Sequence, residues 1–94
     1  MYYILFYQYV DNIEEKRAPY RPDHLALAKS FNEAGNMPLV GVTGTPINGA
    51  ILVFNVDNEA QVKEFVNQDP YVKNGLVTDW RIESWNIVIG SELI

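Results

Sequence analysis

The sequence predicts an α+β fold, a four-stranded antiparallel sheet with two helices on one face. Three observations predict it. Segments of strand-like period and of helical period follow one another as strand, helix, strand, strand, helix, strand. Turn and stop residues separate them. The first and third strand segments are apolar on both faces, as suits the two central strands of such a sheet. This order is the ferredoxin-like βαββαβ pattern.

Residues 2–10 form the first strand, with Tyr3, Leu5, Tyr7 and Tyr9 on one side and Tyr2, Ile4, Phe6, Gln8 and Val10 on the other. Residues 11–21 are a charged connection punctuated by proline. Pro22 opens the first helix, since a missing N–H costs nothing in the first turn. That helix runs to about Ala34, where Gly35-Asn36 and then Pro38 stop it. Leu39–Thr43 is a short strand, residues 44–49 a turn, and residues 50–56 the apolar third strand. Asn58 caps the second helix, and Gln61 completes a box-like cap. Val62, Phe65 and Val66 form its buried stripe, and Pro70 ends it. Residues 70–77 read as irregular, with Gly75 as a turn residue, and residues 78–89 as the last strand. Trp80 and Trp85 then face opposite sides, one toward a helix and one toward the open face. There are no repeats or low-complexity tracts.

The 94 residues read as one domain, 1–94. Seven Lys or Arg against twelve Asp or Glu give a net charge of −5, which argues against nucleic acid or an anionic membrane surface as partner. Without cysteine there is no disulfide, thiolate nucleophile or iron–sulfur cluster, and one histidine is too few for a structural zinc site. The apolar opening, residues 1–7, is too short to span a bilayer and lacks the layout of a signal peptide, so the expected location is cytoplasmic. Two helices cover only one sheet face. The other face, left apolar, calls for a homodimer or higher homo-oligomer packed sheet against sheet, or for a ligand in a cleft there. Both hold together if a dimeric barrel encloses a cavity.

His24 is the one side chain whose ordinary pKa sits near neutrality. Its spacing to Leu27, Phe31 and Ala34 puts it on the stripe facing the sheet, in the first helical turn. Burial and the positive helix end both disfavour imidazolium, leaving a neutral base or hydrogen-bond donor. The competing reading is a buried histidine satisfied by a backbone carbonyl. Asp69 reads either as the carboxylate that orients His24 or as a cap for the amides after it. Arg21 could clamp a carboxylate or enolate, or pair on the surface with Asp23, Glu14 or Glu15. Tyr7 and Tyr9 line a pocket or belong to the core or the dimer interface. No phosphate loop, nucleophile elbow or cofactor fingerprint occurs, so no cofactor is expected.

Glu15-Lys16-Arg17, Arg21-Pro22-Asp23-His24-Leu25 and Asp69-Pro70-Tyr71-Val72-Lys73-Asn74-Gly75-Leu76-Val77, with the opening Tyr2-Tyr3-Ile4-Leu5-Phe6-Tyr7, resemble the YciI-like (YCII-related) family. The resemblance runs from the first strand to Trp85. The turn between the middle strands departs from it, being shorter than the Gly-rich insertion of many relatives. The resemblance implies a dimeric α+β barrel with His24 and Asp69 as a catalytic pair and Arg21 nearby. Arg21, Tyr7 and Tyr71 are the candidate substrate contacts. It also implies a cofactor-free lyase or isomerase, since one branch of the family removes HCl from a chlorinated hydroxyquinol and related barrels isomerise lactones. The alternative is a non-catalytic domain that binds a small organic ligand.

Overall fold

The computed structural model describes residues 1–90. Its elements are β1 (Tyr2–Tyr9), α1 (Ile13–Lys16), α2 (Arg21–Glu33), β2 (Leu39–Thr43), β3 (Gly49–Asn55), α3 (Glu59–Gln68), α4 (Pro70–Lys73) and β4 (Val77–Trp85). The strands form one antiparallel sheet in the order β2-β3-β1-β4. The two strands with apolar residues on both faces, β1 and β3, are the central pair.

Residues opposite one another in a ladder share a face. Leu5 lies opposite Leu52 and Ile82, and Tyr3 opposite Phe54, so these side chains point together toward the helices. Val62, Phe65 and Val66 of α3 and Ala28 of α2 close over them and are buried. The rings of Phe31, Phe54 and Phe65 meet edge to face at 5.2–6.3 Å. The α3 cap is as expected: Asn58 Oδ1 accepts from the Gln61 N–H, and Gln61 Oε1 accepts from the Asn58 N–H.

The helices and the strand ends differ from expectation in four places. The charged connection holds α1, because Asn12 turns the chain at a φ of 59° and Ile13 anchors it in the core. Pro70 ends α3 but also opens α4, where its missing N–H leaves no bond unmade. β4 begins at Val77 and stops at Trp85, because Trp85 pairs with Tyr2 at the start of β1 and the chain beyond has no partner strand. In α2 the buried positions are His24 and Ala28, one turn apart, while Ala34 is exposed at the C-cap.

Gly49 starts β3 under a close approach: a Cβ there would sit 2.5 Å from the Tyr7 carbonyl oxygen. The face away from the helices carries Ile4 and Phe6 of β1, Ile51 and Val53 of β3, Leu39 of β2 and Trp85 of β4. Arg81 lies over the Phe6 ring at 3.9 Å. Trp80 is on the helix side by register, opposite Tyr7, and stays 38 % exposed at the β4 edge. Among the described residues no helix is long and apolar enough to cross a membrane.

Candidate functional site

β1, the first turn of α2 and the α3–α4 junction meet at one end of the helix-covered face. His24 arrives there because its backbone N–H bonds to the Tyr20 carbonyl and places it one turn into α2. Asp69 arrives because the chain leaves α3 extended and Pro70 restarts it. Both are buried, His24 at 7 % exposure and Asp69 at none.

The Asp69 carboxylate holds these elements together. His24 Nδ1 lies 2.7 Å from Oδ1, the Tyr7 hydroxyl donates to Oδ2 at 2.8 Å, and the Tyr71 N–H donates to Oδ1 at 3.0 Å. The two readings of Asp69 are therefore both present in one side chain, since the same oxygen that caps α4 also faces the imidazole. A carboxylate accepts, so Nδ1 is the donor, and in the neutral imidazole Nε2 then carries the lone pair. The Tyr71 ring stacks flat on His24, with centroids 3.7 Å apart and planes 5° from parallel.

The phenols here are hard to ionise. Burial pushes the Tyr7 hydroxyl far above its usual value, and the charge and hydrogen bond of Asp69 push the same way. Burial likewise raises Tyr9, with Asp69 adding to it and Arg17 and Arg21 opposing it. Burial raises Tyr71 too, against the pull of Arg21 and Arg17. Although Arg21 lies near enough to act on it, the Tyr71 hydroxyl is buried with no partner at hydrogen-bond geometry among the described residues.

A cleft of about 220 Å³ opens beside this cluster. His24, Tyr71, Tyr9, Arg17 and Arg21 form its polar wall, and Leu25, Val40 and Val42 are among its apolar side chains. It lies under α2 on the helix side of the sheet, not on the open face. Larger depressions of about 520 and 700 Å³ lie elsewhere and contain no histidine. Among the described residues no three His, Cys, Asp or Glu side chains are grouped to hold a metal ion.

His24, Asp69, Arg21 and Tyr71 are thus brought together. Tyr7 stands behind the histidine on Asp69 rather than in the cleft wall. Arg21 makes no ion pair among the described residues, so the surface pairing with Asp23, Glu14 or Glu15 is not formed. Arg17 is the residue the sequence reading passed over as a site candidate. It lies four before Arg21, but Pro19 between them hides the shared direction.

Three comparisons bear on this arrangement. Residues 1–86 match the model of the YCII-related domain. An uncharacterised protein of Haemophilus influenzae is 31 % identical, the match covering 84 % of this chain and 90 % of that one. Among solved structures, 5-chloro-2-hydroxyhydroquinone dehydrochlorinase from Burkholderia phenoliruptrix AC1100, in complex with 2,5-dihydroxybenzoquinone, superposes with a TM-score of 0.77. That match is 21 % identical and covers 92 % of this chain and 94 % of the other.

Proposed function

The chain belongs to the YCII-related domain family, and from that premise we propose that it is a cofactor-independent lyase or isomerase acting on a small, already activated molecule. The 2.7 Å contact between His24 and Asp69, with the imidazole on a cleft wall, carries this reading. His24 Nε2 takes a proton from a carbon next to a carbonyl. The C–H electron pair becomes a C=C bond as the C=O π pair moves to oxygen, which forms an enolate. Asp69 keeps the Nδ1–H in place and stabilises the imidazolium that forms. Arg21 steadies the oxyanion. Return of the proton to another carbon completes an isomerisation, and collapse of the enolate with loss of a leaving group such as chloride completes an elimination.

Positioned acid–base catalysis contributes roughly 10²–10⁴-fold, so the substrate must be acidic at carbon beforehand. The dehydrochlorinase of the same fold is named for such a reaction on a hydroxylated ring, which supports the class and leaves the substrate open. The test is a panel of chlorinated hydroxyquinols and enol-lactones. His24→Ala should lower kcat on any compound turned over by roughly 10²–10⁴-fold. Unchanged turnover would refute the role of His24, and binding without consumption of any compound would favour a non-catalytic ligand-binding domain. We also propose that two copies associate through the open sheet face.

A further inference from the structure

We infer that Arg17, Arg21 and the Tyr71 hydroxyl form an anion-binding subsite beside His24, built for a planar, single-ring monoanion such as a ring carboxylate, phenolate or enolate. This rests on the proposed acid–base reading only for what happens after binding. The recognition itself stands on separate observations.

The chain is acidic, with twelve Asp or Glu against seven Lys or Arg, yet two guanidinium groups converge on one small cleft. Among the described residues neither forms an ion pair. No carboxylate belongs to the cleft wall, and Asp69 stands behind the imidazole with its oxygens already bonded. Two unpaired guanidinium groups so placed lack the planar acceptor whose geometry they match.

The Tyr71 hydroxyl supplies an independent sign. It belongs to a residue 1 % exposed, on the cleft wall, and no group among the described residues accepts its proton. A buried donor left unmade costs free energy that a ligand oxygen in the cleft would recover. Burial keeps this phenol protonated, so it can donate.

Charge and size then narrow the ligand. Arg17 and Arg21 bring two positive charges, Asp69 removes one, and the phenols are neutral, so a single negative charge balances the site. A cavity of about 150 Å³ holds benzene, and at about 220 Å³ this cleft holds one ring with a few substituents. Leu25, Val40 and Val42 offer apolar contact to the body of that ring. The anion is held in the ground state, before His24 moves any proton, so charge selects the substrate as well as stabilising its enolate.

The experiment uses benzoate as the probe and benzamide as its neutral counterpart, with titrations followed by NMR on the whole chain. Benzoate should bind saturably and shift the His24 ring and the Arg17 and Arg21 Nε–H signals, with benzamide weaker by roughly tenfold or more. Arg17→Gln and Arg21→Gln should each weaken benzoate by roughly tenfold, and Tyr71→Phe by roughly fivefold. Lys29→Gln makes the same change in net charge outside the cleft and should leave the affinity unchanged. No saturable binding of benzoate, equal binding of benzamide, or indifference to Arg17→Gln would overturn the subsite. Separate readouts distinguish the two proposals: benzoate affinity reads the subsite, and kcat on the hydroxyquinol and enol-lactone panel reads His24. Loss of the acid–base reading would leave the subsite standing, and loss of the subsite would leave the acid–base reading standing.

Discussion

Asp69 offers two oxygens to three donors from three parts of the chain: Tyr7 on β1, His24 on α2 and the Tyr71 amide on α4. An amide at this position has one accepting oxygen and two donor hydrogens, so in Asp69→Asn the Tyr7 hydroxyl loses its acceptor and must turn to accept. The expected cost is about 1–3 kcal/mol in urea denaturation, and any turnover found to depend on His24 should fall as well if Asp69 orients the imidazole. Tyr7→Phe removes one donor and should cost about 1 kcal/mol. Because both changes act on one carboxylate, their effects should not add, and a double-mutant cycle should return a coupling of about 0.5–3 kcal/mol. Tyr7 and Tyr9 also set the alkaline limit. Both phenols titrate above their ordinary value of 10.0 in the folded chain. Above that value the unfolded chain releases protons that the folded chain keeps, so stability is whole below it and falls as pH rises past it, by about 1.4 kcal/mol per pH unit for each phenol. Denaturation midpoints from about pH 9 to about pH 11 check the slope, and Tyr7→Phe should make it shallower. Part of this cluster was legible in the sequence. His24 on the sheet-facing stripe and Asp69 before a proline are local features, but spacing left each with a competing reading, and it was the family resemblance that paired them. Tyr7 as a donor to Asp69 was not legible, since strand periodicity states which side a residue faces but not what it touches 62 positions later. Arg17 was hidden for a related reason: its direction depends on α1, a helix too short to leave a period.

At the scale of elements, the parts legible in the sequence are those whose causes are local. The α3 start is one, because Asn58 and Gln61 satisfy each other's backbone N–H groups within a single turn. Asn58→Ala should therefore cost about 1 kcal/mol, read from chemical denaturation. The centre of the sheet is another, since β1 and β3 alone read as apolar on both faces and are the two strands with a neighbour on each side. The short helices α1 and α4 were missed because four residues make barely one turn, held by Ile13 in the core and by Asp69 at the α4 cap rather than by a repeating pattern. The end of β4 was missed because its partner decides it: apolar Val88 and Ile89 look strand-like, but pairing stops where β1 begins. Gly49 shows tertiary control over a single position. Its neighbour is the backbone oxygen of Tyr7, which cannot rotate away. Gly49→Ala must push β1 and β3 apart locally, at an expected cost of about 1–3 kcal/mol. Amide shifts centred on Tyr7 and Gln8 would locate the strain, and a variant as stable as the parent would show that the strands separate freely there.

For the molecule as a whole, the unanswered surface is the sheet face opposite the helices. Four strands spaced about 4.8 Å apart and about seven residues long at ~3.3 Å each give a plan area of roughly 450 Å². Its middle is Ile4, Phe6, Ile51 and Val53, and Leu39 and Trp85 flank it. Leu39 is 54 % exposed, Trp85 39 % and Ile51 37 %, while Val53 is buried at 6 %, so this surface is apolar and much of it is open to water in the single chain. Monomers rarely leave a contiguous apolar patch beyond a few hundred Å². A second copy placed sheet against sheet covers it with the same residues from both sides, the self-complementary arrangement of a twofold dimer. Arg81, Glu83 and Asp79 on β4 would then form a charged rim along one edge. Sedimentation equilibrium at micromolar concentration should give the mass of two chains. Ile51→Lys puts a charge at the centre of the patch in each copy and should give the mass of one, with far-UV circular dichroism unchanged because Ile51 contributes to no helix contact. The cleft under α2 opens on the opposite side of the sheet, so the monomeric variant should still bind benzoate with the parent affinity. A parent chain that sediments as a monomer would sink the dimer. Loss of benzoate binding on dissociation would instead show that the second copy shapes the cleft through the sheet, which the separation of the two faces argues against.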